Sequence, residues 1–447
     1  MATPLKPVAE LDYTVAPGGV LSGQLRVPGD KSISHRALLL GAIAEGDTRI
    51  DGFLAGADCL ATLAAVKALG IEVEGPAAGR VIVHGKGLYG LRQPKDPLDL
   101  ANSGTAMRIL AGLMAGQEFS VTLTGDASLS RRPMQRVIEP LTVMGARIDS
   151  VSGCAPLVIH GRRPLKPLRH LLPVASAQVK SALLLAGLYA GGYSWIKEPA
   201  QSRDHTERML KSFGHNCLRE GAWLGVPDGG TLRAAQIGVP GDLSSAAFFL
   251  VGAAMTPGSQ LTLENVGVNP TRDGVIRLLK AMGADIQLRN PRMSGAEPVA
   301  DIEVHGNPLH GTDINPDQVL LAIDDIPALL IAAACAQGVT RVRGAAELRV
   351  KESDRLQAMQ AGLTVLGVPV ELGQDSIVVT GVDAFRGGEV QSFGDHRIAM
   401  AFAMAGLRSR MPLVIRDCVN VDTSFPGFVP TAHSAGLNIV SGGRRAA

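Results

Sequence analysis

Aromatic side chains are scarce in this chain of 447 residues, where they make up 4% of the composition and include 2 Trp. The chain therefore has few platforms on which the bases of single-stranded nucleic acid could stack. Neither sign of charge dominates, because 43 Lys and Arg residues oppose 41 Asp and Glu residues. A net charge of +2 is too small for the broad basic surface of a nucleic-acid-binding protein. Any anionic ligand must instead bind to a local cluster of cations.

Cysteines and long apolar runs are also few. The 5 cysteines are odd in number and include no close pair, which argues against a disulfide framework and against a cysteine-rich zinc site. The most apolar stretch, residues 326–336, is too short to cross a bilayer, and residues 1–10 lack the pattern of a secretion signal. These absences predict a reduced protein of the cytoplasm. The remaining composition is globular, and the length suits roughly two to four compact units.

Six segments of the chain end on the same pattern, an apolar residue and a glycine followed by a short strand-like tail. An interval of this length exceeds that of the common solenoid repeats, so each repeat is expected to be a small αβ unit with its own partial core. The six glycines recur at near-equal intervals and are Gly70, Gly145, Gly214, Gly283, Gly367 and Gly436.

Each repeat begins with an Ala- and Leu-rich run of helical spacing, and the Ser or Asp at or near its start is a typical helix N-cap. A β-branched stretch follows as a strand. A second amphipathic helix comes next, and its closing glycine fits a helix C-cap before the last strands. The first helical runs are residues 34–44, 103–115, 176–190, 244–254, 325–336 and 395–407.

The first helices are apolar on almost every face, and such helices must be buried. The sequence thus predicts an α/β protein with its helices inside and its sheets outside. Six repeats divide most simply into three and three, and residues 237–242 (IGVPGD) echo residues 25–30 (LRVPGD) at the midpoint. We expect one domain from residues 1–24 plus 242–447, an inserted domain from residues 25–241, and an active site in the cleft between them. The segment before residue 25 is expected to add a strand to the C-terminal half.

Polar residues collect near the predicted helix N-termini, where free N–H groups and helix dipoles favour anions. Cations at equivalent positions of several repeats predict a cleft for ligands with several negative charges. Lys351 and Glu352 beside Arg355 are candidates for proton transfer, as is Asp324, whereas Asp395 is either a counter-ion or part of the chemistry. The collected polar residues are Lys31, Ser32, Arg36, Asn102, Ser103, Thr105, Arg108, Arg132, Ser176, Gln178, Lys180, Ser202, Arg203, Arg272, Lys351, Arg355, His396 and Arg397.

Several familiar catalytic motifs are absent. Residues 29–32 (GDKS) lack the leading glycine of a Walker phosphate loop, because that position is Leu25. There is no HExxH or GxSxG motif, and His205 near Glu207 is interpreted as a helix-surface or phosphate-site residue rather than a metal ligand. The sequence requires no metal and no organic cofactor. The residues alone indicate two anionic substrates that react by proton transfer.

Four charged motifs resemble the 5-enolpyruvylshikimate-3-phosphate synthase family. They are residues 29–36 (GDKSISHR), 102–108 (NSGTAMR), 348–355 (LRVKESDR) and 395–400 (DHRIAM), and the resemblance runs from about residue 21 to residue 426. It implies a two-domain inside-out αβ barrel with six βαβαββ-like units, three per domain. It also implies a cytoplasmic enzyme without cofactor, a monomer, that is inhibited by glyphosate.

The reaction implied by the resemblance is the transfer of the enolpyruvyl group of phosphoenolpyruvate to the 5-hydroxyl of shikimate 3-phosphate, with release of phosphate. Asp324 is then the base and Glu352 the proton donor, although the choice between Asp324 and Asp325 stays open. Lys31 and Lys351 are electrostatic or proton-transfer partners. The other implied substrate contacts are Ser32, Arg36, Asn102, Gly104, Arg132, Ser176, Ala177, Gln178, Ser202, Arg203, Arg355, His396 and Arg397.

The resemblance also bears on glyphosate. Residues 29–32, 176–180, 203–207 and 269–272 resemble motifs of the glyphosate-tolerant class II members, whereas Gly104 alone predicts sensitivity, so intermediate inhibition is expected. Many members carry a Lys just before the sequence at 424–426, where this chain has Asp422 and Thr423, so that cation is lost or supplied from elsewhere.

Two alternatives stay open at this point. One is UDP-N-acetylglucosamine enolpyruvyl transferase, which resembles the family in fold and reaction type. The other is a non-catalytic repeat protein that binds anions in its cleft.

Overall fold

A computed structural model describes residues 11–443, so the expectation for residues 1–10 lies outside it. Four short 3-10 helices, Leu129–Arg131, Ala346–Val350, Gly406–Arg408 and Val419–Thr423, accompany the α-helices. The α-helices are α1 (Lys31–Ala42), α2 (Ala57–Ala68), α3 (Gly104–Ala115), α4 (Gln135–Val143), α5 (Ala177–Gly187), α6 (His205–Ser212), α7 (Leu243–Ala254), α8 (Gly274–Ala281), α9 (Pro316–Ala322), α10 (Ile326–Cys335), α11 (Arg355–Val365), α12 (His396–Ala405) and α13 (Phe428–Ser434).

The strands are short and distributed along the whole chain. They are β1 (Leu11–Val15), β2 (Ser22–Leu25), β3 (Glu45–Asp51), β4 (Glu72–Ala77), β5 (Arg80–Lys86), β6 (Leu98–Asp99), β7 (Ser120–Thr124), β8 (Arg147–Val151), β9 (Cys154–His160), β10 (Arg169–Leu171), β11 (Ser194–Lys197), β12 (Leu218–Glu220), β13 (Trp223–Val226), β14 (Gln236–Gly238), β15 (Gln260–Gly267), β16 (Asp285–Ser294), β17 (Glu297–His305), β18 (Asp313–Ile314), β19 (Val339–Arg343), β20 (Val370–Leu372), β21 (Ser376–Thr380), β22 (Gly388–Gln391), β23 (Leu413–Arg416) and β24 (Ile439–Gly443).

The strands form four-stranded sheets that repeat one pattern. In the sheet of order β6-β7-β9-β8, the first pair is parallel and the other two pairs are antiparallel. With α3 after β6 and α4 after β7, this unit reads βαβαββ, as predicted. The other sheets have the orders β14-β3-β5-β4, β10-β11-β13-β12, β2-β15-β17-β16, β18-β19-β21-β20 and β22-β23-β1-β24.

The first helix of each repeat lies inside the molecule, which confirms the predicted inside-out arrangement. Every residue of α7 is buried, and α3 and α12 are buried along most of their length. Ser and Asp residues cap five of these six helices, because their side chains accept backbone N–H groups of the first turn, whereas Asp325 at the start of α10 makes no such bond. The capping side chains are those of Asp30, Ser103, Ser176, Asp242 and Asp395.

The glycines that close the second helices have the backbone conformation predicted for helix C-caps. Gly70 follows α2 with a φ of +87°, and Gly436 follows α13 with a φ of +111°. A residue with a Cβ is strained in this left-handed region, so glycine is the residue that ends the helix and returns the chain to the sheet.

Two separate clusters of buried apolar residues form the cores. One contains residues between Ile33 and Val239, and the other combines residues 13–27 with residues 243–439. The N-terminal segment contributes to the second cluster, since β1 pairs with β23 and β24, and β2 pairs with β15. We propose that these clusters are the cores of the two expected domains, residues 25–241 and residues 1–24 plus 242–447.

Residues 25–30 and 237–242, where the chain crosses between the two expected domains, lie side by side and are joined by reciprocal hydrogen bonds. The N–H of Asp30 donates to the carbonyl of Pro240 at 2.8 Å, and the N–H of Asp242 donates to the carbonyl of Pro28 at 2.9 Å. A Cβ on Gly29 would lie 1.9 Å from the carbonyl oxygen of Gly52, so this approach requires glycine. The crossover therefore brings the N-termini of α1 and α7 to one place.

No single helix within residues 11–443 has the length and apolar character needed to span a membrane. The pair α9 and α10 passes the length and composition test only when joined, and it bends by 113° at the break.

Candidate active site

A cavity of about 480 Å³ is lined by residues from both halves of the chain. All the catalytic and substrate-contact residues implied by the family resemblance line this cavity, except Arg355. The residues brought together are Lys31, Ser32, Arg36, Asn102, Gly104, Arg132, Ser176, Ala177, Gln178, Ser202, Arg203, Asp324, Lys351, Glu352, His396 and Arg397.

The first wall of the cavity, formed by lining residues between Lys31 and Arg203, carries cations and neutral donors. Arg132 Nη2 donates to Asn102 Oδ1 at 2.5 Å. The amide of Gln178 is held at both ends, because Oε1 accepts from Arg108 at 2.7 Å and Nε2 donates to Thr105 Oγ1 at 2.9 Å. These contacts orient two guanidinium groups toward one part of the cavity.

Gly104 begins α3 beside these guanidinium groups. A Cβ at this position would lie 2.9 Å from Arg108 Nη1 and 3.3 Å from Arg132 Nη1. A methyl group here would therefore displace both cations as well as occupy the cavity.

Lys31, in the first turn of α1, forms an ion pair with Asp58 at 2.5 Å. Burial alone would lower the pKa of the Lys31 amine, but the pairing with Asp58 raises it above its ordinary value. The amine is therefore a positive charge at neutral pH. Nearby, Arg36 is buried and donates to the hydroxyls of Thr206 and Ser181, both at 2.7 Å.

The second wall, formed by lining residues between Pro316 and Arg397, holds Asp324 among cations. Arg203 donates to Asp324 Oδ2 at 2.7 Å, and Lys351 Nζ lies 3.6 Å from Oδ1. Arg397 donates to the Asp324 carbonyl at 3.0 Å. Burial alone would raise the pKa of Asp324, but Lys351, Arg203, Arg397 and Arg355 hold it well below its ordinary value. Asp324 is therefore an ionised carboxylate.

Asp325 lies in a different environment from its neighbour. Its side chain is 1% exposed, and burial raises the pKa of this carboxyl although Arg397 Nη1 lies 3.6 Å away. Asp325 does not line the cavity. The geometry thus separates two residues that the sequence left as alternatives.

Glu352 is the second carboxylate of this wall. It accepts from Arg355 Nη2 at 2.6 Å, and Arg132 Nη1 lies 3.4 Å away from the opposite wall. Burial alone would raise the pKa of Glu352, but Arg355 and Arg132 hold it well below its ordinary value. Both candidate proton-transfer groups are consequently ionised in the ligand-free site.

Arg355, which was expected to bind substrate, lies behind the cavity rather than on its surface. Its side chain is 1% exposed and contacts Asp395 at 2.8 Å, Glu352 at 2.6 Å and Asp324 at 3.5 Å. It therefore joins the two lining carboxylates from behind. Asp395 caps α12 and is fully buried, so it acts as the counter-ion of Arg355.

Two sequence interpretations are wrong. Lys180 is not a cation of the cavity, because its amine is buried between Glu198 and Glu207 at 2.9 Å from each. His205 is not on a helix surface, because it is 1% exposed and its Nδ1 lies 2.8 Å from Glu297 Oε1. In both cases the partners are distant in sequence, so local patterns gave no signal.

The sequence analysis missed several charged lining residues, among them Asp58, Arg136 and Glu347. Asp58 lies in the first turn of α2, and Arg136 lies in the first turn of α4, at second-helix starts where cations were already being collected. Arg136 forms a bidentate pair with Glu347 across the cavity, with contacts of 2.8 Å and 2.9 Å. The helix-start position was an available signal for Asp58 and Arg136, but not for Glu347.

His396 lines the cavity as a neutral group, since burial and the nearby Lys31 lower its pKa to about 3. Within residues 11–443 there is no group of three or more His, Cys, Asp or Glu side chains suited to a metal ion. Asp422 and Thr423, where the family resemblance led us to look for a cation, do not line the cavity.

The cavity between the two inside-out αβ halves contains both cations and ionised carboxylates. This combination is that of an enzyme that joins two anionic substrates. Residues 15–431 match the family described as EPSP synthase (3-phosphoshikimate 1-carboxyvinyltransferase). The chain belongs to this family.

Relatives and solved structures agree with this membership. The chain is 59% identical to a 3-phosphoshikimate 1-carboxyvinyltransferase of Alkalilimnicola ehrlichii, with 97% of each chain covered. It is 58% identical to the enzyme of the same name from Methylococcus capsulatus, with 96% of this chain and 98% of that one covered. A solved structure of EPSP synthase from Acinetobacter baumannii superposes with a TM-score of 0.87 at 49% identity, covering 97% of this chain and 100% of that one.

Proposed function

We propose that the protein transfers the enolpyruvyl group of phosphoenolpyruvate to the 5-hydroxyl of shikimate 3-phosphate and releases phosphate. The observation that carries the proposal is the pair of ionised carboxylates, Asp324 and Glu352, in a cavity otherwise rich in cations. Two anionic substrates account for the cations, and a reaction that moves protons at both ends accounts for the two acids.

The two substrates are assigned to different parts of the cavity. Ser176, Ala177, Gln178, Ser202 and Arg203 bind shikimate 3-phosphate, and this is supported by the position of Ser176, Ala177 and Gln178 at the N-terminus of α5, where the helix dipole favours an anion. Ser32 and Arg36 contact its ring hydroxyls and carboxylate. Phosphoenolpyruvate binds to Lys31, Gly104, Arg132 and Arg397, with Gln178 contacting both substrates and Arg355 acting from behind; Asn102, Lys351 and His396 complete the set of substrate-binding residues.

The proposed chemistry uses the two acids on different atoms. Glu352 gives a proton to the methylene carbon of phosphoenolpyruvate as the 5-hydroxyl attacks the adjacent carbon, and Asp324 takes the hydroxyl proton. Phosphate then leaves the tetrahedral adduct while the new methyl group returns one proton to Glu352, which restores the carbon–carbon double bond of the enolpyruvyl product, and the proton taken up by Asp324 passes to solvent or to the departing phosphate. Lys31 and Lys351 stabilise the negative charge on the phosphate oxygens, a role that the raised pKa of Lys31 supports.

Glu352 must gain a proton before it can donate one. An anionic substrate bound to Arg132 and Lys351 offsets the positive charge that keeps this carboxyl ionised, so its pKa rises in the complex. Substrate binding therefore converts Glu352 into its protonated form, which can act as the donor.

Phosphate release from phosphoenolpyruvate tests the proposal directly. We expect release with shikimate 3-phosphate as the acceptor and none with UDP-N-acetylglucosamine, and we expect it to survive treatment with EDTA. Release with only the sugar nucleotide would instead favour the related enolpyruvyl transferase, and no release with either acceptor would favour a protein that binds anions without catalysis.

We further propose that the enzyme is a cytoplasmic monomer and that glyphosate competes with phosphoenolpyruvate. The monomer is supported by a cavity to which one chain supplies both walls. Sedimentation at several concentrations checks the monomer, inhibition assays check the competition by glyphosate, and cell fractionation checks the location.

A further inference from the structure

Lys180, Glu198 and Glu207 form a buried ionic cluster behind the first wall, here called the Lys180 cluster. Lys180 Nζ lies 2.9 Å from Glu198 Oε2 and 2.9 Å from Glu207 Oε1, and the Lys180 side chain is 3% exposed. None of the three residues lines the cavity. A buried ion pair adds little net stability because desolvation offsets its attraction, so stability alone does not account for this cluster.

Glu198 connects the cluster to two serines of the cavity. Its Oε1 accepts from Ser202 Oγ at 2.5 Å and from the N–H of Ser176 at 3.3 Å, and its Oε2 lies 3.4 Å from the N–H of Ser202. Ser176 caps α5, whereas Ser202 lies in the loop before α6. One carboxylate therefore ties together two segments whose serines both line the cavity.

We propose that Glu198 is a positioning residue that aligns Ser176 and Ser202 for the phosphate group of the acceptor substrate. This inference rests on the proposed function. When the phosphate binds, the Ser202 hydroxyl turns from Glu198 to a phosphate oxygen, while the two N–H contacts keep both segments in place. Lys180 offsets the negative charge of Glu198, which would otherwise repel the phosphate. The cluster thus acts on affinity for one substrate and not on the bond-making steps.

Glu198→Gln tests this role, because a neutral amide next to the Lys180 amine cannot maintain the same contacts. We expect the KM and the Kd of shikimate 3-phosphate to rise about tenfold or more, the usual effect of losing a hydrogen bond to a charged group. The Kd of shikimate, which has the same ring without the phosphate, and the KM of phosphoenolpyruvate should change less than about twofold. Calorimetric titration and steady-state kinetics on the full chain supply both values.

Glu207→Gln is the matched control. It removes the other carboxylate from Lys180 but contacts neither serine, so the Kd of shikimate 3-phosphate should change less than about threefold. Where Glu198→Gln alone does not fold, Glu198→Asp keeps a negative charge near Lys180 but withdraws the carboxylate from both serines, and it should show the same phosphate-specific loss.

A double-mutant cycle separates positioning from a general structural effect. In a Ser202→Ala background, Glu198→Gln should weaken shikimate 3-phosphate less than it does in the unsubstituted chain. Equal losses for shikimate and its 3-phosphate, equal losses in Glu198→Gln and Glu207→Gln, or strict additivity would each overturn the inference. Failure of the proposed function would look different, since the unsubstituted chain would then release no phosphate.

Discussion

The two walls of the cavity differ in the charges that they present. On the first wall, the lining residues between Lys31 and Arg203 include a single acid, Asp58, and it is paired with Lys31. On the second wall, Asp324 and Glu352 lie among Lys351, Arg355 and Arg397. The first wall therefore has the character of a binding surface, and the second wall has the groups that can move protons.

Because of this difference, neither half alone has all the groups that the reaction needs. The first wall can hold anions but has no free acid or base, and the second wall has acids whose ionisation depends on cations from both halves. Arg132 approaches Glu352 and Arg203 contacts Asp324 across the cavity. Substitutions on the second wall should therefore reduce turnover, and those on the first wall should mainly change affinity.

The largest expected effect is on the second wall. Glu352→Gln keeps the shape of the side chain but removes its ionisable proton, so kcat should fall by about 10²–10⁴ with modest changes in both KM values. Glu347→Gln is the control, since Glu347 lines the same wall but pairs with Arg136. Near-normal kcat in Glu352→Gln would reduce this carboxylate to a counter-ion and remove the distinction between the walls.

Asp324 and Asp325 allow a second test within two adjacent positions. Asp324→Asn should lower kcat by about 10²-fold or more as a lost general base, while Asp325→Asn should lower it much less. Because burial raises the pKa of Asp325, its charge lowers stability at neutral pH, and Asp325→Asn should not reduce the free energy of unfolding. The opposite ranking of the two kcat values would reassign the base to Asp325.

A third test concerns the first wall. Gly104→Ala adds a methyl group to the cavity beside Arg108 and Arg132, and a clash between that methyl group and a bound ligand costs about 1–3 kcal/mol, or roughly 5- to 150-fold in affinity. Glyphosate, the longer ligand, should lose more affinity than phosphoenolpyruvate, while kcat changes little. Competition assays on both forms measure this ratio, and equal losses would show that Gly104 does not discriminate between inhibitor and substrate.

The sequence was sufficient for the repeat architecture because that architecture depends on local chemistry. Asp30, Ser103 and Ser176 are caps within one turn of the helices that they begin, and Gly70 and Gly436 end helices through their own φ angles. The motifs that carried the family resemblance also contain many of the charged residues of the cavity, among them Lys31, Lys351 and Glu352.

The placement of individual charges was less predictable. Lys180 and His205 follow the same local rules as the cavity residues, yet Glu198 and Glu297 bind them away from the cavity. Arg355 belongs to a correct motif but lies behind the acids. Such cases depend on partners that meet only when the chain has folded, and burial then decides between a lining role and a counter-ion role.

A further test of the second wall is the number of protons taken up when substrate binds, which we expect to be at most about one. Glu352 is ionised in the ligand-free site and must be protonated to act as a donor. Phosphoenolpyruvate or glyphosate binding to the complex with shikimate 3-phosphate should therefore take up a fraction of a proton near neutral pH. Calorimetry in two buffers of different ionisation enthalpy measures it. Equal uptake in Glu352→Gln would assign the proton to another group.

The smallest expected effect compares one histidine from each half. Burial, with Lys31 nearby, holds the pKa of His35 well below its ordinary value, and burial lowers that of His396 to about 3. Both histidines are neutral in the folded protein, whereas each binds a proton in the unfolded chain below about pH 6.5. This proton binding stabilises the unfolded chain, so the stability that is present above about pH 6.5 is lost as the pH falls.

Between pH 7.5 and pH 5.5, each of these histidines should lower the free energy of unfolding by on the order of 1 kcal/mol. His35→Gln should remove its share of that loss and leave the share of His396, as read from urea unfolding at both pH values. His84→Gln is the control of opposite sign, because hydrogen bonds that the partly buried ring of His84 donates to Asp47 and Glu74 raise its pKa. If His35→Gln loses as much stability on acidification as the unsubstituted chain, the pH dependence belongs to the His396 half, and the two halves differ in acid stability as well as in chemistry.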